Sequence, residues 1–132
     1  MTDDRRQRGL DKMAEVYGWE VRDGPGDFFG ITVDHLFAEI WSRPGLSMRD
    51  RRLLLLGLLT GQGLQDVTDI QIGAALRSGE LSPDELREIA IFLTHYAGWP
   101  SGARACSPAS FSTAMLSRAQ QERAEPERHP DT

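Results

Sequence analysis

Apolar residues return every three or four positions along most of this chain, and the stripes are interrupted at clusters of Pro, Gly and Asp. Leu10, Met13, Ala14 and Tyr17 keep helical spacing within residues 5–18, and Gly18 closes that helix. The cluster DGPGD at 23–27 separates this arm from the rest of the chain. Val33, Leu36, Phe37, Ile40 and Trp41 make the stripe of a second helix. It should stop at Pro44-Gly45, because a proline disfavours helix in the residue before it. Ser47 is placed to cap a third, leucine-rich helix from about 48 to 60, which TGQG at 60–63 breaks. A fourth helix spans 65–78, with Val67, Ile70, Ala74 and Ala75 inward and Gly79 as its stop.

Ser82, Pro83 and Glu85 spell a near-complete helix start, with N-cap, first-turn proline and capping-box acid. The helix they open is apolar on nearly all sides from Ile89 onward, a pattern that predicts a central position. A last helix is expected within 101–120, kinked or restarted at Pro108. No segment alternates long enough to be a strand, so the predicted fold is all-α. Residues 1–120 read as one domain. The tail 121–132 is charged, contains proline, is short of apolar residues and is expected to be disordered.

The 132 residues suit one modest core, and a 39% hydrophobic share suggests that some apolar surface is buried between subunits. Net charge is -5 and there is no Lys/Arg tract, so no nucleic-acid partner is expected. The run RDRR at 49–52 carries its own Asp and reads as a solvated helix start. A single cysteine, Cys106, excludes an internal disulfide and a CxxC pair, and it reads as an inert thiol. The N-terminus lacks the apolar stretch of a secretory signal, and LLLLGLL at 53–59 is too short to cross a bilayer. A soluble cytoplasmic protein with no membrane partner is the expectation.

Four places could carry chemistry. In EIWSRPGL at 39–46, Arg43 complements a helix C-terminus, Trp41 packs, and Glu39 is placed to pair with Arg43 four residues on. His35 and Glu39 also stand four apart, which suits two metal ligands, but two do not close a site, and a surface ion pair is the simpler reading. Gln71 lies inside an apolar stripe, so its amide is either fixed by backbone groups or faces a polar cavity. His95 lies in IFLTHYAGW on the helix expected at the centre. Burial keeps a histidine neutral, the state wanted of a general acid or base, but a core histidine satisfied by a carbonyl fits the sequence as well. Tyr96 either supplies a hydroxyl to the same region or packs. The glycines of TGQG are not a phosphate loop, since no Lys-Ser/Thr follows them and no strand precedes them.

Taken together, EIWSRPGLSMRDRRLLLLGLL and AALRSGELSPDELREIAIFLTHYAGWPSGARA closely resemble the carboxymuconolactone decarboxylase family, which shares its helical fold with the alkylhydroperoxidase D proteins. The likeness covers roughly residues 6–120 and is most specific over 39–105. It implies an alkylhydroperoxidase D-like subunit of about six helices that assembles as a homotrimer or homohexamer, with sites near subunit contacts. It also implies a lyase of aromatic catabolism that decarboxylates a small-molecule lactone without a cofactor or metal. Such a reaction needs a stabilised dienolate oxygen and a proton delivered to carbon.

The resemblance also marks departures. Members commonly carry histidine where this chain has Gln71, in IQIGAAL. Glutamine can hydrogen-bond but cannot shuttle a proton. The redox branch carries a CxxC at the positions of Leu64 and Val67, so peroxidase chemistry by that route is excluded. The implied site has Gln71 and His95 as catalytic residues, with Glu39, Trp41, Arg43 and Tyr96 binding substrate. Arg43 is the choice for a carboxylate because its planar fork matches one. A same-fold cyclase or isomerase of a biosynthetic pathway, or a non-catalytic oligomer, are the alternatives that the change at Gln71 leaves open.

Overall fold

The computed structural model describes residues 2–101 and is helical throughout, with no strand among them. Helix α1 is Thr2–Tyr17, and α2 (Asp27–Ile31) runs directly into a π-helical segment, Thr32–Ile40. Helices α3 (Met48–Gln62), α4 (Gln65–Ser78) and α5 (Pro83–Ala97) follow. The all-α expectation therefore holds over the described residues. Pro108, Cys106, the last expected helix and the tail 121–132 lie outside them. None of the described helices is long and apolar enough to cross a membrane.

The helix ends form where the side chains dictate. Ser47 Oγ accepts the Asp50 N–H at 3.0 Å and opens α3. That helix runs to Gln62, two residues past the expected stop, because the turn falls on Gly63 and not on Thr60 or Gly61. Gly63 sits at φ 69°, a left-handed conformation that glycine adopts without steric cost. At α5, Ser82 Oγ accepts the Glu85 N–H while the Glu85 carboxylate accepts the Ser82 N–H, both at 3.1 Å. That N–H, and next the Arg49 guanidinium, hold the Glu85 carboxyl below its ordinary pKa. A value lower in the folded state than in the unfolded chain stabilises fully above the unfolded value and is lost as pH falls through the folded one. Acid unfolding of Glu85→Gln should therefore be shallower than wild type, and Ser82→Ala should lose about 1 kcal/mol in urea at pH 7.

The second helix differs from its expected form. Trp41 N–H bonds to Leu36 O at 2.9 Å, an i→i+5 bond, and the stretch before it is π-helical. The wider turn moves the inner face to Val33, Phe37 and Ala38 and leaves Leu36 and Ile40 partly in solvent. Gly9 of α1 makes this packing possible, since any Cβ there would lie 2.2 Å from Val33 O.

The centre of the structure is α4, not α5. Every residue from Gln71 to Leu76 is buried, and Ile72, Ala75 and Leu76 pack with Leu56 of α3, Leu81 of the connection before α5 and Leu86 of α5. The small side chains Gly73, Ala74 and Ala75 let neighbouring helices close in on all sides. Val67, expected inward, is exposed near the start of α4. In α5 only Leu86 and Thr94 are buried, and Ile91, Phe92 and Tyr96 are exposed in the single chain.

Candidate functional site

The polar centre of the fold is built around Arg52, which is 0% exposed. Its Nε donates to Glu80 Oε1 at 2.9 Å, and its Nη1 donates to Gln71 Oε1 and to Val16 O, each at 2.5 Å. Four parts of the chain meet there: α1, α3, α4 and the loop before α5. Gln71, itself 2% exposed, is thus fixed by a charged side chain, not by the backbone. The Glu80 carboxylate balances the buried cation. Arg52 Nη2 has no partner among the described residues.

The solvated reading of RDRR fails at Arg52 alone; Arg49 and Asp50 are exposed and Arg51 is partly so, although both other arginines have partners. Arg49 reaches Glu85 Oε2 at 2.5 Å. Arg51 donates to the carbonyls of Arg43, at 2.7 Å, and Leu46, clasping the Pro44-Gly45 turn. Sequence reasoning missed Arg52 because three arginines in four residues look alike in one dimension. The available signal was spacing: Arg52 stands four residues before Leu56 and seven before Leu59, on the buried side of α3.

The residues of the EIWSR stretch have separate neighbours. Glu39 is paired with Arg5 of α1 and lies 3.3 Å from His35 Nδ1, so the expected pair with Arg43 does not form. The surface pair of His35 and Glu39 is as expected, and no three His, Cys, Asp or Glu gather as metal ligands among the described residues. Trp41 is half-buried and stacks on Phe37 with centroids 6.2 Å apart and planes 5° from parallel. Phe37 meets Tyr17 at 5.6 Å, and Tyr17 stacks on Trp19 at 5.5 Å, so four aromatic rings run from the end of α1 to the π segment. Burial in this row pushes the Tyr17 hydroxyl above its ordinary pKa. Arg43 is exposed, and its guanidinium has no ion pair among the described residues.

His95 is on the surface of the single chain, so the burial expected for it is not found. Its Nδ1 lies 2.6 Å from Ile91 O, and its ring is 5.9 Å from that of Trp99. A carbonyl does satisfy one ring nitrogen, as the core reading supposed, but outside the core. Tyr96 beside it is 83% exposed and packs on Phe92 at 5.3 Å. Gln71 faces the interior and His95 faces out, so one chain does not bring these two together. Helix α5 also borders an open groove of about 580 Å³ near its start, lined by Arg49, Leu53, Glu85 and Ile89 among others.

Comparison with known proteins places the chain in a family. Residues 26–110 match the carboxymuconolactone decarboxylase family, and the chain belongs to it. It is 30% identical over 110 residues to the 4-carboxymuconolactone decarboxylase of Acinetobacter baylyi, covering 76% of this chain and 81% of that protein. It is 36% identical over 71 residues to the nitrosuccinic acid decarboxylase of Metarhizium robertsii, covering 54% of this chain and 49% of that protein. No solved structure matches.

Proposed function

We propose that this protein is a cofactor-independent decarboxylase of a small carboxylic acid whose leaving carboxylate sits on a carbon joined, directly or through an alkene, to an oxygen-bearing electron acceptor. The observation that supports it most is the family match, which spans Glu39 to Arg43, Gln71 and His95 together. The two named relatives act on acids of this kind: a lactone offers its carbonyl, and nitrosuccinic acid its nitro group. In both, carbon–carbon cleavage releases carbon dioxide and sends the electron pair to oxygen. A proton must then reach carbon.

In this reading Gln71 donates a hydrogen bond to the oxygen that gains charge, and His95 returns the proton to carbon. The unpaired Arg43 fork holds a carboxylate that is retained, with Trp41 as an apolar wall, Tyr96 as a second hydroxyl contact and Glu39 ordering the stretch. The site forms where copies of the chain meet in a homotrimer or homohexamer, with the outer face of α5 in the contact. That assembly supplies what one chain lacks, since Gln71 and His95 point in different directions within it. The domain is taken to span residues 1–120, which contains the family match at 26–110.

The test is turnover of 4-carboxymuconolactone and of nitrosuccinic acid by the purified chain, with its mass measured by light scattering. Consumption of at least one acid by a trimer or a multiple of it is expected. Consumption of neither would overturn the reading, and a monomer active on either would remove the shared site.

A further inference from the structure

We infer that Arg52 is a positioning residue that turns Gln71 into a one-way hydrogen-bond donor for the reacting oxygen. The inference rests on the decarboxylase reading, and it assigns the missing histidine's place a different chemistry. Arginine carries donors only, so the amide facing it must present oxygen. Gln71 Oε1 takes the Arg52 Nη1 proton at 2.5 Å, which turns the Gln71 NH₂ group away from Arg52. No described residue accepts from that NH₂ group. A neutral glutamine free to flip would offer a donor or an acceptor, and half of its orientations would repel a developing anion. The guanidinium removes that ambiguity.

The guanidinium is also locked. It has no exposed surface, and Glu80 and Val16 O hold it from two further directions. The amide it grips lies on the most enclosed helix of the fold, where little reorientation is possible. A charge-assisted bond to the amide oxygen draws electron density from the nitrogen and strengthens the N–H as a donor. During decarboxylation the carbon–carboxylate bond breaks, its electron pair moves through the conjugated system to the acceptor oxygen, and carbon dioxide leaves. Gln71 N–H stabilises that oxygen without giving up its proton, and the proton that ends on carbon comes from elsewhere. Histidine beside a buried arginine would be a poor proton donor, because the neighbouring positive charge disfavours its protonated form. Glutamine and Arg52 are therefore a matched pair.

Gln71→Glu separates positioning from support. A carboxylate in that place can still pair with Arg52, but it has no proton to donate. Melting should stay near wild type while kcat on 4-carboxymuconolactone falls about 10²–10³-fold, the usual loss for one oxyanion donor, with KM changed far less. Gln71→Met, similar in length and without a donor, gives the same reading should Gln71→Glu fail to fold. Arg52→Lys should lower kcat and shift or broaden the Gln71 side-chain NH₂ pair in a ¹⁵N spectrum of the full chain. A folded Gln71→Glu or Gln71→Met with wild-type kcat overturns the inference. If wild type turns over only nitrosuccinic acid, kcat is read on that acid; if it turns over neither acid, the functional reading fails by itself, and the spectrum decides the positioning. An NH₂ pair unchanged by Arg52→Lys then overturns it, and a displaced pair supports it.

Discussion

Arg52→Leu is expected to destabilise the fold by about 3–5 kcal/mol, the range seen when one partner of a buried ion pair is removed. Domains of this size have about 5–15 kcal/mol of stability in all, so the variant should lose a large share of it. Leucine fills much of the volume but satisfies nothing. The Glu80 carboxylate, whose side chain is 14% exposed, loses its counter-charge. Gln71 Oε1 and Val16 O lose their donor inside the protein. Urea unfolding followed by circular dichroism measures the loss. Adding Glu80→Gln to Arg52→Leu should recover part of it, because the stranded charge is then gone. A loss under about 1 kcal/mol, the level of an exposed pair, would mean that Arg52 is solvated.

Gly9→Ala should also be strongly destabilising, although alanine is the better helix former by about 1 kcal/mol. The new Cβ would lie 2.2 Å from Val33 O, 2.6 Å from Val33 Cγ1 and 2.9 Å from Val33 C. Two of these atoms are backbone and cannot swing aside, so α1 must move off the π segment. Overpacking of this kind costs about 1–3 kcal/mol net, and the salt links of Arg5 and Arg6 to that segment would stretch with it. Gly61→Ala is the internal control. It lies in α3 with nothing within 4 Å of an added Cβ, and it should stabilise by about 0.5–1 kcal/mol. Urea midpoints moving in opposite directions for the two variants are the expected result.

Much of this fold was legible in one dimension. The capping box at Ser82 and the left-handed glycines at 63 and 79 end helices by local chemistry, which sequence displays directly. The burial order was harder to read. Leucine and phenylalanine in α5 suggested the centre, yet small residues give α4 that place, because close approach depends on size as well as polarity. The π segment escaped because a 3.6-residue stripe fits LFAEIW equally well, and the wider turn is set by packing on α1. At the site, Gln71 was correctly singled out as a buried amide in need of partners. Its partner lay 19 residues away in a charged run that looked solvated. Pairing of that kind exists only in three dimensions. The reverse holds for His95, whose apolar neighbours in sequence do not cover it in the single chain.

Carbon dioxide release is the measurement that bears most directly on decarboxylation without a cofactor. The purified chain is dialysed against a strong chelator, given 4-carboxymuconolactone with nothing else added, and the gas is quantified against substrate consumed. One carbon dioxide per lactone, at a rate unchanged by adding back divalent metal or flavin, is the expected result. Lactone consumed without carbon dioxide, or gas that appears only after a metal or flavin is restored, would contradict it.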